Sequence, residues 1–172
     1  GESAYKQEAA ALFSVANKQE CLVVHYGLAI ATYPFFMSLS KILGRLFKLQ
    51  DEVSNIEFYR RVIETVGDRD SIKRAAARYL QSLIEWGLIE SSGKAGVKPV
   101  AKMPVSDSEL ITWLYASLLF SSGRDRLSID DITSDPCWFP FDIYHGNFNV
   151  SESKIIDVIH QGVGNTLVSL RG

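Results

Sequence analysis

Cysteine is nearly missing from this 172-residue chain: Cys21 and Cys137 stand far apart, each in apolar surroundings. That scarcity excludes a disulfide-stapled secreted scaffold. One bridge is arithmetically open, but the surroundings favour two buried thiols in a reducing cytosol. Histidine is scarce too, and His25, His145 and His160 show no metal-ligand spacing with either cysteine, so neither a metal nor a cofactor is expected. His25, inside an apolar stretch, reads as a packed core residue. There is no internal repeat and no low-complexity tract, which excludes solenoids and fibres. No signal peptide is visible, and Gly1 in place of Met reads as a cloning remnant or a cut within a longer chain. Asn149-Val150-Ser151 is a formal glycosylation acceptor, without consequence for a protein that stays inside the cell.

Charge of one sign is lacking as well. The formal net charge is −2, so the molecule as a whole is no polycation. The charges it has are unevenly spread. Between Arg60 and Arg78, six basic residues (Arg60, Arg61, Arg69, Lys73, Arg74, Arg78) face three acidic ones (Glu64, Asp68, Asp70). From Pro104 to His160, nine acidic residues outnumber Arg124, Arg126 and Lys154. A basic patch on an acidic body suits an anionic partner held by one face.

Long hydrophobic runs are confined to one place. Cys21 to Ser40, "CLVVHYGLAIATYPFFMSLS", carries no charged side chain other than His25, and about 20 apolar residues suffice to span a bilayer. His25 and Pro34 interrupt the run, and the apolar pattern continues in amphipathic form through Ile42, Leu43, Leu46, Phe47 and Leu49. The segment therefore reads as two buried helices meeting at Tyr33-Pro34, and no membrane partner is expected.

What remains has ordinary globular composition, 47% hydrophobic and 22% charged. Asn17 is placed to cap a helix through Val23, Val24, Leu28 and Ile30, and Pro34 opens the next, where its missing amide hydrogen costs nothing. Ser54-Asn55-Ile56-Glu57 has capping-box form, with Ile56, Tyr59, Val62 and Ile63 at helical spacing behind it and Gly67 as a stop. A second helix re-enters near Asp70 or Ser71. Ile72, Ala75, Ala76, Tyr79, Leu80, Leu83 and Ile84 form its apolar stripe, while Lys73, Arg74, Ala77, Arg78 and Gln81 share the other face. Leu88-Ile89-Glu90, the turn "SSGKAG" and Val97 to Val100 then predict a β-hairpin. Ser106-Asp107-Ser108-Glu109 opens an apolar helix through Trp113 and Leu119 that must pack on the N-terminal helices. Ser128 to Ile132 reads as a short helix or turn and Phe141 to Tyr144 as a strand. Ile155 to Gly162 fits a strand or a short helix, its β-branched content favouring the strand, and Asn165 to Leu170 reads as a terminal helical turn.

The run "YLQSLIEWGLIESSGKAGVKPV", Tyr79 to Val100, following a helix–turn–helix, resembles the winged helix-turn-helix superfamily of DNA-binding domains over about residues 54–100. The helix from Pro34 to Leu49 would be the first helix of that motif. The expected fold class is mainly α with a small β component: a winged helix-turn-helix core with additional N-terminal and C-terminal helices. Residues 1–16 form a lead-in arm or helix, 17–103 the helical and winged module, and 104–172 an extension packed on the same core.

The function expected from these residues is duplex DNA binding, by a regulator of transcription or an accessory subunit of a DNA-acting complex in the cytoplasm. A helix fits the major groove, where Arg and Lys reach phosphates or guanine edges. Lys73, Arg74 and Arg78 are the principal candidates, with Gln81 and Arg69 beside them. Lys94 and Lys98 lie on the wing, and Arg60 and Arg61 on the preceding helix are placed for phosphate. Against this stand the plain solvated helix face, and a protein-interaction adaptor docking through Trp138, Phe139 and Phe141 in "CWFPF", a cluster that as readily closes its own core. A homodimer through the N-terminal helices is a further alternative. No enzyme is expected. Asp130, Asp131 and Asp135 with His145 could suggest acid–base work, but Asp130 and Asp131 fit the first turn of a short helix better. Gly162-Val163-Gly164 lacks the pattern of a phosphate loop, and no serine sits in a nucleophile elbow.

Overall fold

The computed structural model describes residues 2–149, 151 and 153–172; Val150 of the formal glycosylation triplet lies outside them. The chain is mainly helical with short strands, in two compact units. The first unit takes Gly1–Pro34, Val105–Asp135 and Ile143–Gly172, and the second takes Phe35–Pro104 and Pro136–Asp142. The helix after Asn17 falls in the first unit with the C-terminal part of the chain, whereas the sequence placed it with the 17–103 module.

In the first unit, helix α1 (Glu2–Val15) is more than an arm, since Tyr5, Ala9 and Leu12 are buried. Helix α2 (Lys18–Thr32) starts where expected, with Asn17 Oδ1 accepting the Glu20 N–H at 2.9 Å. Its main partner is α6 (Ser108–Ser122), buried on every side from Leu110 to Leu119. The Trp113 indole N–H donates to Val24 O at 3.1 Å. The Tyr5 ring stacks on Trp113 at 4.2 Å, and its hydroxyl bonds Ser117 Oγ at 2.7 Å. Gly27 permits this approach, because a Cβ there would lie 2.5 Å from Trp113 Nε1. The apolar helix thus packs on N-terminal helices as its composition requires, with its polar groups paired inside. Its cap is Asp107, whose Oδ1 accepts from Glu109 and Leu110, rather than Ser106.

Two further expectations fail here. His25 is exposed, on the side of α2 turned from Val24 and Tyr26. Asn165 to Leu170 is not a helical turn: β8 (Thr166–Leu170) pairs antiparallel with β7 (Ile156–His160) and with β5 (Arg126–Ser128), in the order β5-β8-β7. Gly162 and Gly164, both at positive φ, form the hairpin turn, closed by Gln161 N–H to Asn165 O at 2.8 Å. The short helix expected near Ser128 to Ile132 is α7 (Ile129–Thr133), and Ser128 is its cap.

Tyr115, buried on α6, shares a 2.5 Å hydrogen bond with His145 Nδ1. Burial pushes the Tyr115 hydroxyl up and holds His145 below its ordinary value of 6.5. A histidine lowered by folding lets the unfolded chain take up the proton first, so the stability it carries at neutral pH is lost as pH falls below its unfolded value. Between about pH 7.5 and about pH 5.5, His145→Gln should therefore lose less melting temperature than the parent. An equal loss in both would remove His145 from the pH response.

The second unit is built on α3 (Pro34–Leu49), α4 (Asn55–Val66) and α5 (Asp70–Glu85). Beside them lies an antiparallel sheet of β1 (Val53–Ser54), β2 (Ile89–Ser92) and β3 (Gly96–Pro99) in the order β1-β3-β2. Val53 pairs with Val97, and Glu90 with Lys98. Phe58, Val62, Tyr79, Leu83, Leu43 and Ile89 fill the core. Each such fully buried side chain contributes about 1.5–3 kcal/mol. Ser54 Oγ accepts the Glu57 N–H at 3.1 Å, but the Glu57 carboxylate accepts from Gln50 Nε2 at 2.9 Å, so only half of the capping box forms. Ile56, placed with the core by spacing, is 81% exposed. It lies about 200° around the helix from Phe58, which leads the real stripe. "CWFPF" closes a core: Cys137, Trp138 and Phe141 are buried, and Phe139 packs edge-on to Phe47 at 5.4 Å. The two cysteines form no disulfide, and Cys21 is only half-buried. Strands β4 (Met103–Val105) and β6 (Phe141–Ile143) carry the chain across the unit boundary. No single helix among the described residues is long and apolar enough to cross a membrane, the run from Cys21 being broken at Tyr33.

Candidate nucleic-acid interface

Helix α5 is fastened by one side only. Ala76, Tyr79, Leu80 and Leu83 are buried. The Tyr79 hydroxyl bonds Ser40 Oγ of α3 at 2.9 Å, and its ring packs on Phe58 at 6.0 Å and edge-on to Phe36 at 5.1 Å. Burial drives the Tyr79 pKa upward, so the hydroxyl stays protonated and acts as a clamp. With that side held by the core, Lys73, Arg74, Ala77, Arg78 and Gln81 are all exposed. At 100° per residue they span an arc of about 140°.

The helix begins without a side-chain cap, since Arg69 occupies the N-cap position and bonds no first-turn amide through its side chain. Positive side chains at a helix start add to the positive end of the dipole, which costs stability unless an anion approaches. Arg69 and Lys73 both sit there, offset in part by Asp70 in the first turn and by Asp68 on Lys73. This is an end suited to phosphate.

The remaining candidates lie on neighbouring elements of the same unit. Arg60 and Arg61 are exposed on α4, Lys94 is exposed in the β2–β3 turn, and Lys98 is half-buried on β3. Three of the cations have carboxylate partners: Lys73 with Asp68 at 3.3 Å, Arg61 with Glu64 at 3.5 Å and Lys98 with Glu90 at 3.2 Å. Gln81 Nε2 donates to Glu85 Oε1 at 3.3 Å. Arg60, Arg69, Arg74, Arg78 and Lys94 make no ion pair among the described residues.

Sequence reading overlooked Asp68 and Glu90 as members of this surface. The cross-strand position of Glu90 follows from hairpin register, and the placement of Asp68 from the turn between α4 and α5; neither is a periodicity signal. Elsewhere, no group of three or more His, Cys, Asp or Glu side chains among the described residues is placed to hold a metal ion. Compared with models of known families, with curated proteins and with solved structures, the chain shows no match.

Proposed function

We propose that the second unit is a winged helix-turn-helix module that binds duplex DNA, with α5 as the recognition helix and the β2–β3 hairpin as the wing. The observation that carries this reading is a helix anchored from one side by Tyr79, whose opposite face offers Arg74 and Arg78 to solvent with no ion pair among the described residues. The order α3, β1, α4, α5, β2, β3, with β3 in the centre of the sheet, supports the module assignment. Arg60, Arg69 and Lys94 extend the cationic surface to phosphate, and Lys73, Arg61, Lys98 and Gln81 join it once their carboxylates are displaced. The reading assigns no reaction to the chain. Its role is that of a transcription regulator, or of an accessory subunit bringing a larger machine to DNA in the cytoplasm. The adaptor reading draws less support from "CWFPF", where Trp138 and Phe141 are buried and Phe139 packs on Phe47.

The test is a titration of a labelled duplex across a salt series. Each cation that replaces a counterion adds about 0.9 to the logarithmic salt slope, so five unpaired cations predict a slope of about −4 to −5. Absence of binding at low salt, or binding indifferent to salt, would end the proposal.

A further inference from the structure

Not every cation of this surface is available at once, and the way the unavailable ones are held has a consequence that rests on the duplex-binding reading. Arg61 and Glu64 are three residues apart on one exposed helix, an ordinary surface pair. The other two pairs are different. Asp68 lies in the turn between α4 and α5 and reaches Lys73 in the first turns of α5, Oδ1 to Nζ 3.3 Å. Glu90 lies directly across the hairpin from Lys98, Oε1 to Nζ 3.2 Å. One carboxylate therefore sits at the start of the recognition helix and one on the wing, each on a lysine that the duplex would use.

Such pairs do little for the fold. The four side chains are between 43% and 66% exposed, and solvent-screened pairs of this kind contribute little to stability. Their effect falls on the ligand. A lysine already neutralised by its own chain cancels less phosphate charge, so fewer of the cations condensed on the duplex are released when it binds. Its carboxylate must also be pushed aside in the face of an incoming negative charge.

We infer that Asp68 and Glu90 are built-in competitors of the phosphate backbone, holding the affinity of this surface for polyanions below what its cations allow. Arg74 and Arg78, with no carboxylate partner among the described residues, make the first encounter. Lys73 and Lys98 are recruited only when a duplex offers phosphate to the helix start and to the wing together.

The experiment is a fluorescence-anisotropy titration of a labelled duplex of arbitrary sequence in a salt series. It compares the parent with Asp68→Asn, Glu90→Gln and the double variant. Glu2→Gln serves as control, because its pair with Lys6 lies on α1 of the first unit. The amides are isosteric and exposed, and thermal melting checks that each variant keeps its fold. The double variant should bind roughly tenfold tighter than the parent at low salt, each single change contributing about threefold, with a slope steeper by up to about two. Binding by the double variant where the parent fails to bind would support the inference equally. If the parent binds and the variants match it, the competition is refuted while the duplex reading stands. The same holds if Glu2→Gln tightens binding as much as Asp68→Asn, since net charge alone would then be responsible. If neither the parent nor any variant binds, both fall.

Discussion

Reversing Lys73, Arg74 and Arg78 together to glutamate should abolish duplex binding while leaving the fold in place. The expected loss at low salt is on the order of a thousandfold, because three phosphate contacts vanish and three repulsions replace them. The fold survives for separable reasons. Each side chain is exposed, so no buried group changes. The lost Lys73–Asp68 pair is exposed at both ends and worth about 0–1 kcal/mol. Glutamate at position 73 suits the positive end of the α5 dipole better than lysine does. At positions 74 and 78 a like-charged pair four residues apart replaces another, so that contribution hardly moves. Melting temperature is therefore expected to stay within a few degrees of the parent's. Retained binding by the folded triple variant would remove α5 as the contact element. A plain solvated face predicts a different outcome: no duplex binding by the parent, and so none to lose.

The second large effect is on stability. Gly44 lies in the middle of α3, where alanine would ordinarily stabilise a helix by about 1 kcal/mol. Here the sign should reverse. A Cβ at Gly44 would stand 1.9 Å from the carbonyl oxygen of Pro136, which is backbone and has no rotamer to yield. The same Cβ would meet Phe139 at 3.2 Å, where the ring packs against Phe47. Gly44→Ala must push the 136–142 segment off α3, loosening Cys137 and Trp138 from the core; a destabilisation of about 3 kcal/mol is expected, at the upper end for overpacking. Gly93→Ala is the control, since nothing lies within 4 Å of a Cβ there and its φ is not positive. Equilibrium denaturation reads both. An unchanged midpoint for Gly44→Ala would mean that the 136–142 segment is not seated on α3 in solution.

Much of the local structure was legible because it is written in neighbours along the chain. Asn17, Ser54 and Ser128 each mark a helix start by a short polar side chain accepting an amide three residues on, and that bond needs no tertiary partner. The apolar stripe of α5 and its cationic opposite face follow from helical periodicity alone. Failures cluster where the deciding partner is distant. The strand character of Thr166 to Leu170 depends on pairing with β5 and β7, and the five residues alone fit a helical turn as readily. β1 exists because Val53 meets Val97 across the sheet, not because of any strand signal in two residues. His25 was placed inside by the apolar residues around it, but Val23, Val24 and Tyr26 already occupy the buried side of α2.

The candidate interface divides the same way. Composition and spacing by themselves determined that Lys73, Arg74, Ala77, Arg78 and Gln81 share one face of a rod with a hairpin after it, because helix geometry converts intervals of one, four, five and eight directly into direction. Only the tertiary structure decided which side of that rod the core would hold, through Tyr79 on Ser40 and Phe58, and which cations keep their charge to themselves. An ion pair such as Lys98 with Glu90 depends on strand register, and a seat such as Gly44 under Pro136 on two segments ninety residues apart, so neither leaves a mark in local sequence.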